Sequence, residues 1–232
     1  MIKRVLVLAV LAFFLFLFLS KVAGIDTPAQ LSGVGAGYVD RSIEELNSPN
    51  VVTAVVVTYR GIDTLGEVSV LFLAAAAISL LLRSTGKKNG DGDKKEKRPA
   101  SEILTTGTDI LVPVIMLFGI NIFLNGHLSP GGGFQGGAVV ASAVLLLFLA
   151  YPGFRLRHGV LAALESLSGT VYVVIAVLGL IVASGFLDSR LLPLGETGRI
   201  ISAGTIPLIY TVIGLKVGTE LAGIIENLGG DR

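Results

Sequence analysis

Five ionisable side chains stand where apolar neighbours make charge expensive: Asp63, Glu67, His127, Lys216 and Glu220. A carboxylate is a hard oxygen ligand for a cation and can hold a proton instead. That dual capacity is what exchange between a proton and an alkali cation requires. If a helix starts at Arg60, then Asp63 and Glu67 follow at i+3 and i+7, and all three fall within about 60° of one face at 3.6 residues per turn. Lys216 and Glu220, four apart, also share a face, in the order that helps an isolated helix less. Each set has a plainer alternative. Arg60 and Asp63 would make an interfacial pair at a helix start, where the macrodipole favours carboxylates. Lys216 and Glu220 would snorkel toward a membrane surface. His127 is either a capping side chain in a turn or a proton relay. Asp109, with Thr105 and Thr106, suits the end of a span.

The elements that must carry these residues are membrane helices. The chain has 232 residues, of which 52% are hydrophobic and 15% charged. Mean hydropathy is +0.80. A soluble domain of this size carries about 25% charged residues, so a water-soluble enzyme is excluded. With no cysteine, the chain has no disulfide, iron–sulfur or zinc–thiolate chemistry. A net charge of +1 offers nothing to nucleic acid. The expected class is an all-α, multi-pass protein of the cell membrane, surrounded by lipid and other membrane subunits, with no catalytic residue, metal site or cofactor of its own.

Six apolar runs are long enough to cross about 30 Å of hydrocarbon. They lie near Val5–Val22, Gly61–Leu82, Gly107–Leu124, Gln135–Tyr151, Ser168–Phe186 and Ile200–Ile224. The first reads as a retained anchor rather than a cleaved leader, because its apolar run is long and the small-residue site after it is poor. Residues 83–102 hold 11 charged side chains in 20 positions. They read as a charged cytoplasmic linker between a two-span module (1–82) and a four-span module (103–232). With the N-terminus inside, cytoplasmic segments carry twelve Lys and Arg and outer segments five, so both termini are expected in the cytoplasm. His127 and His158 then lie on opposite sides, which argues against a shared haem.

Asn125–Gly137 reads NGHLSPGGGFQGG. Pro130 restricts φ, and Gly131–Gly133 permit a tight turn or a very close backbone approach. No Gly-Lys-Ser/Thr follows, so this is not a phosphate loop. Gly132/Gly136 and Gly133/Gly137 then run into a helix rich in Ala138, Ala141, Ser142 and Ala143, a face suited to close helix packing.

The residues Gly126-His127, Pro130-Gly131-Gly132-Gly133-Phe134 and Gly136-Gly137 resemble the motif of the B subunit of Mrp-type (Mnh) sodium/proton antiporters, and the likeness extends over Ile103–Leu228. Asn50–Glu67, NVVTAVVVTYRGIDTLGE, resembles the segment beside it in such complexes. That segment is the C-terminal tail of the antiporter A subunit, or a small separate subunit of archaeal membrane-bound hydrogenases. The fusion of both in one chain looks most like membrane-bound sulfane (sulfur) reductase complexes. The resemblance implies a non-catalytic subunit of a module that moves Na⁺ and H⁺, coupled in some relatives to a redox arm. An assembly subunit that only packs larger neighbours together is the alternative, as is a subunit of a free-standing antiporter.

The charge bias makes a direct prediction. A cysteine replacing Asn89 should react with an impermeant thiol reagent only from the cytoplasm, and one replacing Ser129 only from outside. Reaction of both from one side would refute the topology.

Overall fold

No side chain stands between the backbones of the most closely packed helices. In a computed structural model describing residues 2–23, 31–86 and 100–230, the chain forms α1 (Ile2–Val22), α2 (Gly33–Leu46) and a short α3 (Val51–Thr53). A π-helical turn (Ala54–Tyr59) leads into α4 (Gly61–Gly86). Then come α5 (Glu102–Leu124), α6 (Gly133–Ala150), α7 (His158–Val182), a 3₁₀ turn (Ser189–Leu191) and α8 (Ile206–Gly230). Among the described residues, six helices are long and apolar enough to cross a membrane. The protein is an all-α, multi-pass membrane protein. The expected linker at 83–102 falls largely on residues 87–99, outside those described.

The chain divides into two compact units, Met1–Gly37 and Tyr38–Arg232. The first contains α1, whose side chains from Arg4 onward are exposed. Within the second, α6 packs on both α5 and α8, and α4 and α7 pack on α8. A Cβ on Gly136 would sit 2.6 Å from the Gly119 carbonyl oxygen of α5, and one on Gly137 would sit 2.7 Å from that of Gly214 in α8. The glycine spacing read from the sequence therefore serves both neighbours of α6. The core beside it joins Val57, Tyr172, Ile175, Ile206, Ile209, Tyr210 and Ile213.

Two helices differ from the sequence expectation. The fifth span runs His158–Val182 rather than Ser168–Phe186, because the helix continues through Glu165, which turns toward a cavity instead of ending the apolar run. The sixth starts at Ile206 rather than Ile200. Ala203 and Gly204 both take positive φ, at 60° and 61°, and reverse the chain just before it. Only glycine fits at 204, where a Cβ would collide with the Ser189 carbonyl oxygen. Ile200 and Ile201, both exposed, belong to the loop before this reversal.

The long helices alternate in direction, so the second unit has two polar ends. Asn50, His127, Asp188 and Arg199 mark one; Asp109, Tyr151, His158 and Glu226 mark the other.

Gly133 gives the packing test. Its Cβ would meet Ile213 Cβ at 2.6 Å and the Tyr210 carbonyl oxygen at 2.9 Å. Gly133→Val is expected to cost about 1–3 kcal/mol by overpacking and to lower recovery of folded protein on size-exclusion chromatography. Gly153→Val, where a Cβ meets nothing within 4 Å, is the control.

Candidate functional site

The segment before α4 closes over the glycine-rich turn through hydrogen bonds to carbonyl groups. Asn50 donates from its side chain to the Gly126 and Ser129 carbonyls, at 2.8 and 2.9 Å. Thr53 Oγ1 donates to Gly126 at 2.6 Å and accepts from the Tyr210 hydroxyl at 2.9 Å. Ser48 Oγ and the Asn50 amide both reach the His127 carbonyl at 3.2 Å. A turn with three consecutive glycines exposes its carbonyls, and a buried carbonyl needs a donor. Residues 48–53 supply those donors.

His127 is fully buried in this turn, and its Nε2 donates to the Arg199 carbonyl at 3.2 Å. Burial holds the imidazole below its ordinary value near 6.5, against the opposing pull of that carbonyl. In the adjoining loop, buried Asp188 accepts from Arg190 Nη2 at 2.6 Å and Nε at 2.9 Å. This fork holds the Asp188 carboxyl below the usual carboxylate range.

The expected charged residues divide into three places. Asp63 pairs with Arg60 at 2.7 Å, and both side chains are exposed at the start of α4. Glu67, one turn further along, is exposed too. The Tyr172 hydroxyl is buried without a hydrogen-bond partner among the described residues. Lys216 and Glu220 lie inside the bundle. Their Nζ–Oε1 distance is 2.6 Å, and their side chains are 11% and 1% exposed. Lys216 Nζ also lies 5.2 Å from the centre of the Phe72 ring of α4. Gly169 of α7 lies against it, since a Cβ there would be 3.8 Å from Nζ, an ordinary contact.

The turn residues act through packing. Pro130 precedes Gly131, whose φ of 153° favours glycine. Gly132 and Gly133 lie against Tyr210 and Ile213, Gly136 and Gly137 against α5 and α8, and Phe134 against the core.

Glu165, Glu226 and His158 are site residues that reasoning from the sequence does not single out. Glu226 Oε2 lies 3.6 Å from His158 Nδ1, and its Oε1 accepts from the Leu156 amide at 3.2 Å. One signal is spacing: Glu165 lies seven residues beyond His158, on the same face of a helix, whereas Glu226, six beyond Glu220, shares no face with it. At the same end, the Tyr151 hydroxyl donates to Asp109. No group of three or more acidic or histidine side chains among the described residues converges to hold a metal ion.

Fold and residues together define a polytopic membrane protein that keeps an ion pair inside its bundle and a hydrogen-bonded glycine turn at one end. The chain belongs to the family described as the domain related to the MnhB subunit of Na⁺/H⁺ antiporters, which matches residues 103–223. Residues 2–90 match MbhE, a family of MBH subunits. A Methanocaldococcus jannaschii protein, MJ1307, is 32% identical over 197 residues, covering 76% of this chain and 74% of that protein. The chain is similar to one in the structure of the membrane-bound sulfane sulfur reductase, an archaeal respiratory membrane complex, with 39% identity, a TM-score of 0.78 and 98% of each chain covered. It is also similar to part of a chain in the Mrp complex of Dietzia sp. DQ12-45-1b, with 26% identity and a TM-score of 0.77. That match covers 99% of this chain but 26% of the other, so the chain spans about a quarter of that relative's length.

His127 makes the turn sensitive to acid. An unfolded chain takes up a proton near pH 6.5, while the buried imidazole does so only at lower pH. Its contribution to stability is therefore complete above pH 6.5 and declines as the pH falls below it. Thermal unfolding at about pH 7.5 and about pH 5.5 should show this loss in the wild type and a smaller one in His127→Gln, which keeps a donor without titrating.

Proposed function

We propose that this chain is a non-catalytic membrane subunit of a cation/proton-translocating module resembling Na⁺/H⁺ antiporters, within a respiratory complex of the membrane-bound hydrogenase or sulfane reductase type. Its partners are the other membrane subunits, and the ions are Na⁺ and H⁺. The observation that carries the reading is the buried Lys216–Glu220 pair. Two charges at membrane depth are costly and tend to persist on ion paths. The relatives support the setting: one sits in an archaeal respiratory membrane complex and the other in an Mrp complex.

Glu67, Asp63, Lys216, Glu220 and His127 are the proposed path residues. Glu67 presents an ionisable carboxylate outward from α4. A neighbouring subunit would meet it there. Asp63 has a partner in Arg60 and carries less of the burden. The two-module reading, with residues 1–82 and 103–232 as once-separate subunits joined by 83–102, belongs to the same proposal. So does a cytoplasmic position for both termini, which puts the His158–Glu226 end inside.

Glu67→Gln keeps size and hydrogen-bonding capacity but cannot titrate. It should assemble at near-normal abundance and lose most cation-dependent proton movement in vesicles, while Asp63→Asn should be milder. Wild-type exchange by Glu67→Gln at normal abundance would favour the assembly-subunit reading.

A further inference from the structure

A cavity of about 300 Å³ opens between α4, α7 and α8 at the His158–Glu226 end of the bundle. Three carboxylates line it: Glu165 from α7, with Glu220 and Glu226 from α8. Ser79 of α4 and Thr219 of α8 add hydroxyls, and His158 stands exposed at the rim. The facing cation is Lys216, which pairs with Oε1 of Glu220. Glu226 is tied to the Leu156 amide and to His158. Glu220 Oε2 has no such tie. It is buried and has no hydrogen-bond donor among the described residues. An ionised oxygen withdrawn from water without a donor is unfavourable, so this site is complete only when something else reaches that oxygen.

The chemistry of the wall selects what that is. Three carboxylates against one lysine repel phosphate and anionic headgroups and attract cations. Among the described residues the acidic side chains do not converge into a chelating group, which disfavours a dehydrated divalent ion. The space holds roughly ten waters at about 30 Å³ each, enough for an ion that keeps part of its hydration shell. We propose that this cavity is a water-filled vestibule that concentrates a hydrated monovalent cation or a proton and delivers it to Oε2 of Glu220. There it competes with the Lys216 ammonium for the carboxylate. Displaced from Glu220, Lys216 keeps the Phe72 ring, 5.2 Å from Nζ, as its nearest aromatic neighbour. The inference rests on the proposed transport role for its purpose, but not for its test.

The native chain has no cysteine, so Thr219→Cys reports on the cavity alone within this subunit. The variant complex, in membrane fragments open on both faces, is treated with cationic trimethylammonium-ethyl or anionic sulfonatoethyl methanethiosulfonate, and modification is read from the mass of this chain. Rates are corrected for each reagent's reactivity with a free thiol. The cationic reagent should be favoured about tenfold. Adding Glu165→Gln and Glu226→Gln should bring the ratio close to one. Leu180→Cys, on the exposed apolar face of α7, should stay unmodified. If Thr219→Cys does not assemble, Ser79→Cys reports on the same cavity. A cavity cysteine that neither reagent reaches overturns the vestibule. An equal preference for both charges, or a preference that survives loss of the two carboxylates, overturns its cation selectivity. Because modification does not require transport, normal exchange by Glu67→Gln would refute the transport path and leave this result standing.

Discussion

Close backbone contact along α6 is the constraint on which the rest of the bundle depends. Gly136 lies against Gly119, and Gly137 against Gly214. In lipid there is no hydrophobic driving force between helices, so affinity comes from packing and from polar contacts. Removing side chains from both surfaces brings α5, α6 and α8 together at backbone distance. α8 then has one face committed to α6 and another left for α4 and α7. On that second face stand Lys216 and Glu220. The small residues of α6 thus decide which way the charged residues of α8 can point.

Once α8 is placed, the buried pair has few alternatives. Lys216 and Glu220 are on the same helix, so their contact does not require two elements to find each other. What α4 and α7 contribute is enclosure: the Phe72 ring beside the ammonium and the Gly169 backbone against the Lys216 stem. A same-helix pair persists if neighbouring helices shift, which suits a site whose surroundings change during a cycle. The Arg60–Asp63 pair is exposed and screened, and contributes little to stability.

Much of this is legible in the chain itself. Six spans, the glycine turn and the Lys216–Glu220 spacing follow from apolar run length and helical periodicity. The start of α4 at Gly61 follows from the same periodicity taken from Arg60. The α7 boundary does not, because Glu165 interrupts an apolar run and reads as an end, whereas a helix with a polar cavity on one side keeps it. The role of Ile200–Thr205 is hidden for the opposite reason: apolar residues in a loop look like the beginning of a span. Neither α2 nor the π-helical turn is evident, since neither lies in an apolar run long enough to cross a membrane. The cavity cannot be read at all, because it needs residues from three helices whose relative rotation is set by the glycines of a fourth.

The hydrogen bonds from residues 48–53 to the carbonyls of 126, 127 and 129 bear on how the chain is partitioned. They stitch the segment before α4 onto the turn before α6 from nearly 80 residues away in sequence. The contact itself is local, made by donors of residues 48–53 and carbonyls of residues 126–129. Two polypeptides meeting at the same carbonyls would make the same hydrogen bonds, at the entropic cost of association. On physical grounds, then, fusing or separating these halves changes the stoichiometry of assembly without redesigning the surface between them.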